Sequence, residues 1–414
     1  MRIDLDTYKE ILDTLTRNKS RSFLTGFGVF WGVFMLVGLI GGGQGLKELL
    51  SNNFEGFSTN SAIFFANPTT KPFAGYRKGR SWSMNYKDVE RLQAQVPELD
   101  VVSPMLSNWG ISLVCGDKKA TGNLKGLNPD YVKVEAPKLF YGRFINDVDM
   151  AQHRKVCVLG KKIYKTLFPQ GGDPCGQFVQ VGSIFFQVVG VDYNGGNMSI
   201  NGSAEESVVI PITLMQQAYN MGNQVHLICV TARPGYTITS LVPRVREVIA
   251  KAHQIDPTDE KGIAMVNTEV MFGMMDSLFK GVNFLIWLVG IGTLFAGAIG
   301  VSNIMMVTVR ERTTEIGIRR AIGATPKNIL GQIVSESIIL TAVAGMSGIL
   351  FSVIVLQMLE LGNTSEGIVA ARFQIGFWTA VGAVVLLSIL GILAGLAPAL
   401  RAMSIKPVDA MRDE

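Results

Sequence analysis

Apolar and polar positions are distributed along this chain on two scales. The run Phe23 to Ile40 is almost wholly apolar, and no charge occurs between Arg21 and Lys47. Three further charge-free runs follow, at Gly281–Val309, Ser337–Leu359 and Phe373–Leu400. Each exceeds the roughly 20 residues an α-helix needs to cross a hydrocarbon core of about 30 Å. Only a helix satisfies its own backbone there, so the pattern predicts four transmembrane helices, at 22–46, 281–309, 329–359 and 373–400. The first run is longer than a secretory signal's apolar region, and Gly41-Gly42-Gly43-Gln44-Gly45 continues into Leu46-Lys47-Glu48-Leu49-Leu50 without a clean cleavage site. It reads as an uncleaved anchor.

Between the first two runs, over 47–280, the pattern shortens. Ser61 to Phe65 reads as a strand bounded by Asn67-Pro68, and Tyr86 to Gln95 as a helix stopped by Pro97. Val101-Val102 and Ile111 to Val114 read as strands. A matching unit recurs late, with Ser207–Ile210 as strand, Ile212–Tyr219 as helix and Val225–Thr231 as strand. Arg244–Lys251 adds a helix with Val245, Val248 and Ile249 on one face. Residues 116–204 are richer in glycine and short β-like runs such as Phe178–Val181 and Phe185–Val191. The expected fold is α-helical membrane protein plus a large α+β domain outside the cytoplasm, with residues 58–115 and 205–270 as one subdomain and 116–204 inserted into it as a β-rich one.

Composition agrees. Charged residues are 17% of the chain, against about 25% in soluble domains. Mean hydropathy is positive at +0.29. A net charge of +5 is too small to suggest a nucleic-acid binder. The short segments set orientation. Arg2, Lys9, Arg17, Lys19 and Arg21 precede the first run; Arg310, Arg312, Arg319, Arg320 and Lys327 lie in the link 310–328; Arg401, Lys406 and Arg412 lie in the tail 401–414. The link 360–372 has one Arg and two Glu. Both termini and the 310–328 link are therefore expected in the cytoplasm, with 47–280 and 360–372 outside.

Candidate chemistry is sparse. Cys115, Cys157, Cys175 and Cys229 lie outside, where disulfides can form, and four cysteines allow three pairings. Free buried thiols are the other reading. No CxxC or Cys/His ligand spacing suggests a metal. His153, His226 and His253 sit in no nucleophile motif, Asp147 and Asp149 read as a solvated loop, and no P-loop occurs. No catalytic, cofactor or metal site is expected. The charge-free runs carry few polar groups, Asn283, Ser302, Asn303 and Gln357 among them, which argues against ion coupling. Gly28-x-x-x-Gly32 and Gly391-x-x-x-Gly395 permit close helix approach, either in a dimer seam or within one chain.

The cytoplasmic segments are the most distinctive. Residues 1–21 hold Tyr8, Ile11, Leu12 and Leu15 at helical spacing behind a Thr7-x-x-Glu10 capping box, which predicts a helix lying on the inner membrane surface. Arg310 to Ala321 reads as one polar helix in which Glu315 pairs with Arg319. Gly323 stops it, Thr325 caps a new one, and Pro326 suits the new first turn. The result is a charged elbow with Ile316 and Ile318 exposed unless a partner covers them.

The run Val309–Leu330, VRERTTEIGIRRAIGATPKNIL, resembles the coupling-helix signature of FtsX/MacB-type ABC transporter permeases. The tail Pro398–Ala402 with Lys406–Arg412 resembles the same family's end. Gly142-Arg143-Phe144, Val158-Leu159-Gly160, Leu167-Phe168, Asp173–Gly176 and Val188–Val191 are similar to its outer domain. The resemblance implies a porter-like βαβ subdomain with an insert, and a bacterial inner-membrane location. It implies an ABC ATPase in a separate chain that binds the ATP, and a second permease copy. It further implies a mechanotransmitter that moves substrate on the outer side, through a periplasmic adaptor and outer-membrane channel. Lipoprotein release, or activation of a cell-wall hydrolase, are the alternatives. By the matched motif, Arg312, Glu315, Ile316, Gly317, Ile318, Arg319, Arg320 and Ala321 would couple to the ATPase.

Overall fold

The computed structural model describes residues 19–52, 54, 56–193, 199–365, 368–369 and 371–404. Residues 1–18 of the expected inner-surface helix over 1–21, and the Lys406–Arg412 motif, lie outside the described residues. Two compact units result: one comprises 1–50 and 278–414, the other 51–277.

Among the described residues, four helices, lying mainly in the first unit, are long and apolar enough to cross a membrane. They span Lys19–Asn52, Thr268–Glu311, Pro326–Gly362 and Phe377–Met403; the first three extend beyond their charge-free runs at both ends, while the fourth begins four residues inside its run, which starts at Phe373, and ends three beyond it. The second has 44 residues, a length of about 66 Å at the α-helical rise. Small residues bring the helices together within the chain. A Cβ on Gly32 would stand 3.1 Å from the Thr293 carbonyl oxygen, and one on Gly28 would stand 3.7 Å from Gly297 Cα. Gly391 lies against Thr341 and Gly395 against Ser337, whose Oγ donates to the Gly391 carbonyl at 2.9 Å. Both glycine pairs thus serve packing inside one chain. The Gly41–Gly45 stretch has a similar use: the Phe373 ring rests on Gly45, and a Cβ on Gly41 would stand 2.7 Å from the Phe373 carbonyl oxygen.

The second unit is built on a single sheet with two differently folded halves. Strands 263–267, 61–66, 227–232 and the start of 99–115 pair antiparallel in that order. Helices Tyr86–Gln95 and Ile238–His253 contribute Val89, Leu92, Val245 and Ile249 to a core against Ala62, Phe64, Ile228 and Val230. From Leu106 the same strand changes partner. Strands 99–115, 118–127, 207–211, 156–160, 184–192 and 178–181 each pair with the next, and the last returns to the first, closing a six-stranded barrel. Leu113, Leu124, Val181, Phe186, Val188 and Ile210 belong to the core that fills it.

This differs from the expected organisation in two ways. Val101-Val102 and Ile111–Val114 are parts of one 17-residue strand, Leu99–Cys115, which carries an irregularity between Asn108 and Ile111. Ser103, Pro104 and Ser107 look like strand breakers locally, yet pairing on the neighbouring strands overrides them. Strand 207–211 and helix Ile212–Ala218 belong to the barrel, not to the flanking subdomain. An alternating strand records which face is buried but not which strand it joins.

Two buried carboxylates anchor loops. Asp149 is fully buried, not solvated, while Asp147 is exposed. Arg143 grips Asp149 through both guanidinium nitrogens at 2.6 and 3.1 Å, and Asn146 N–H donates to it at 3.1 Å. Asp259, also fully buried, accepts from Thr70 N–H at 2.7 Å, Thr70 Oγ1 at 2.6 Å, Gly262 N–H at 3.0 Å and Lys71 N–H at 3.1 Å. Burial alone would raise its carboxyl, but these donors outweigh that and hold it at about 2.

Lys125, in the barrel, is also buried and donates to Ser199 Oγ at 2.9 Å and to the Gly202 carbonyl at 2.8 Å. Burial pulls its ammonium down to about 8, against the opposing influence of Glu135 and Asp192. A lysine that holds its proton less tightly when folded adds stability as pH rises from about 8 towards its ordinary 10.5. The Tm of the wild type minus that of Lys125→Met, measured in detergent, should therefore grow between about pH 7.5 and about pH 9.5. A flat difference would contradict a buried ammonium.

Candidate functional site

The 310–328 link folds locally for readable reasons. The second long helix ends at Glu311, and the chain kinks at Arg312 before a short helix, Thr313–Ala321. The expected single helix from Arg310 to Ala321 is thus divided. Thr313 Oγ1 donates back to the Arg310 carbonyl at 2.7 Å and the Val309 carbonyl at 3.3 Å, satisfying acceptors at the end of the departing helix. Gly323 takes φ +112°, a value open to glycine, and ends the elbow. Thr325 Oγ1 then accepts from Asn328 N–H at 3.3 Å, with Pro326 opening the third long helix.

Ionic contacts brace the elbow. Arg319 forks between Glu315 at 2.7 Å and Gln332 at 3.0 Å. Arg320 donates to the Met403 carbonyl at 2.9 Å, at the end of the fourth long helix. Arg312 meets Glu336 at 3.2 Å. Ile316 packs into a core with Val309, Ile329 and Ile333, and Gly317 is buried beside it.

The eight motif residues therefore divide. Ile316 and Gly317 turn inward, which corrects the expectation that Ile316 lies exposed. Arg312, Arg319 and Arg320 tie the elbow to the third and fourth helices. Glu315, Ile318 and Ala321 remain exposed. Ile322, outside the expected set, is the most exposed large apolar residue of the link at 82%, and Ile318 follows at 46%. Glu315, Ile318 and Ile322 stand at i, i+3 and i+7, on one face of the helix. Ile322 was hidden by its place beside the stop signal, though the same helical spacing picks it out. Glu336, only 8% exposed, was missed because it adjoins the charge-free run.

The remaining candidates are structural. His226 Nδ1 accepts from Ser107 N–H at 3.2 Å, and His253 Nε2 contacts buried Asp88 at 2.7 Å. All four cysteines are free, and burial pushes the Cys157 and Cys229 thiols well up. Among the described residues no group of His, Cys, Asp and Glu side chains could hold a metal ion.

Comparison with known proteins adds an independent line. Residues 22–248, more than half the chain, match the family model of the MacB-like periplasmic core domain. Residues 287–407 match that of the FtsX-like permease C-terminal region. The chain is 27% identical to the macrolide export ATP-binding/permease protein MacB of Mannheimia succiniciproducens, across 99% of this chain and 61% of that protein. It is 26% identical to the pyoverdine export ATP-binding/permease protein PvdT of Pseudomonas putida, across 96% of this chain and 58% of the other. It thus spans about three fifths of the relatives it matches. The periplasmic region of MacB from Actinobacillus actinomycetemcomitans aligns in structure at 24% identity and TM-score 0.43, covering 54% of this chain and 96% of the other.

Proposed function

Because the chain belongs to the MacB-like, FtsX-like family of ABC transporter permeases, a family of multi-pass membrane proteins, we propose that it is a mechanotransmitter driven by an ABC ATPase outside these 414 residues. In this reading the ATPase docks beneath the elbow. ATP-driven movement there is passed along the long helices and reshapes the outer domain. Substrate is exported from the periplasm through an adaptor and an outer-membrane channel. Two permease copies act together in the inner membrane, with both termini in the cytoplasm. No catalysis is assigned to the chain itself.

The observation that carries this reading is the exposed Glu315–Ile318–Ile322 face on a helix otherwise tied to its own chain. A solvated loop needs neither the bracing nor two isoleucines in water. The charge-free membrane runs support it too, since cargo handled outside the bilayer requires no polar path through it. The test is affinity purification from native membranes, comparing wild type with Glu315→Lys. The wild type should bring an ABC ATPase and an extracytoplasmic adaptor, and Glu315→Lys should lose the ATPase while inserting normally. An ATPase retained undiminished by the variant would defeat the docking assignment. Recovery of a cell-wall hydrolase in place of the adaptor would defeat the exporter reading.

A further inference from the structure

Between strands 61–66 and 84–85 the chain builds a hairpin with the sequence Lys71-Pro-Phe-Ala-Gly-Tyr-Arg-Lys-Gly-Arg80. Phe73 and Tyr76 exchange backbone hydrogen bonds at 3.2 and 2.9 Å around Ala74 and Gly75. Both turn residues have positive φ, +50° and +85°, the geometry of a tight type I′ turn.

The hairpin's foot is fixed firmly. Thr69 is buried; its N–H donates to the Arg80 carbonyl at 3.0 Å and its Oγ1 accepts from the Arg80 N–H at 3.1 Å. Asp259 clamps Thr70 and Lys71, as described above. Lys71 Nζ reaches Thr258 Oγ1 at 2.6 Å, and Arg80 reaches the His253 carbonyl at 2.6 Å while lying 4.1 Å over the Tyr76 ring.

The tip is exposed. Phe73 and Tyr76 are 41% and 45% exposed. Arg77 and Lys78 are exposed and meet no carboxylate among the described residues. No Asp or Glu occurs from Asn67 to Lys87. The acids at the foot are occupied, Asp259 by the hairpin base and Asp256 by Thr258 N–H at 2.8 Å.

We propose that this hairpin is a docking finger for an acidic, partly apolar surface of a protein outside the membrane. The turn fixes the backbone of both aromatic residues and Arg80 lies over the Tyr76 ring before binding, which lowers the ordering cost, and aromatic and arginine side chains carry much of the energy at interfaces. Arg77 and Lys78 supply the charge that a carboxylate-bearing partner complements. An anionic bilayer is a poorer match: lipid-binding basic clusters use about four to eight cations at the surface, whereas here Lys71 and Arg80 are held at the foot by Thr258 and the His253 carbonyl, and Arg77 and Lys78 are the cations at the tip. The proposal rests on the extracytoplasmic placement given under Proposed function.

The test is zero-length carbodiimide cross-linking of the full chain in native membranes, with peptide mapping at Lys78. Lys78 should be joined to an Asp or Glu of a second protein. With that protein purified, Arg77→Glu/Lys78→Glu and Phe73→Ala/Tyr76→Ala should each weaken its binding by about tenfold or more. Reversing the mapped carboxylate to Lys should restore binding to the first variant, which a folding defect would not allow. Lys78 linked only within its own chain or to a second copy, no link at all, affinity within about twofold for both variants, or competition by phosphatidylglycerol vesicles would each overturn the finger. Placement is checked separately by labelling Lys78→Cys in intact cells with a membrane-impermeant maleimide. Labelling only after lysis overturns the placement, whereas labelling without an acidic cross-link overturns the finger alone.

Discussion

Ile322→Asp should strip the ABC ATPase from the permease while leaving the protein inserted and its Tm unchanged. Ile322 is 82% exposed and touches little of its own chain, so the substitution removes almost no internal packing. In the docked state the same side chain would be desolvated beside Ile318. Removing one such anchor costs about 2 kcal/mol, roughly thirtyfold in affinity. A carboxylate there adds the cost of burying a charge in the docked interface. Co-purified ATPase should fall to the detection limit, with Ile322→Leu retaining it. Undiminished ATPase with Ile322→Asp would place the docking surface elsewhere.

The largest effect on stability is expected at Gly142→Ala. Gly142 has φ +66°, and an added Cβ would strike the Val189 carbonyl and stand 2.6 Å from Cys175 Sγ. A non-glycine residue in that conformation costs about 1–3 kcal/mol, and overpacking against fixed backbone adds a similar amount. The outer domain should lose roughly 3–5 kcal/mol, read as a drop in Tm or failure to accumulate. Gly171→Ala supplies the control. Its φ is +72° with nothing within 4 Å of the added Cβ, so it carries the strain without the collision and should cost far less. Equal losses at the two positions would refute the collision argument.

Gly142-Arg143-Phe144 is legible in the sequence as a family resemblance, but its physics appears only in three dimensions. Gly142 supplies a left-handed turn, Arg143 grips buried Asp149, and Phe144 packs against a core containing Tyr131 and Val156. The run is a structural fastening. The four membrane helices were visible because hydrocarbon excludes charge over a whole segment, and that exclusion is written residue by residue. The Gly323, Thr325 and Pro326 turn was visible because caps and stops act over a few positions. The inward turn of Ile316 was hidden, since it depends on Ile329 and Ile333 approaching from another helix. Asp149 looked solvated because Arg143, which buries its charge, has no fixed spacing to it. The barrel was hidden for a related reason: strand 207–211 reads alike whichever pair of neighbours it joins.

That strand has a consequence for how the molecule is made. Strand 207–211 lies between 118–127 and 156–160, both synthesised before it. Until residue 211 has emerged, the ring stands open with two unpaired edges, the kind of edge that recruits foreign strands. The barrel can close only by accepting its last strand into the middle, not by adding it at a rim. Ribosomal pausing, or a prematurely truncated chain ending before residue 207, therefore leaves an adhesive intermediate, and a chaperone serving this chain has its window between the emergence of residues 127 and 211.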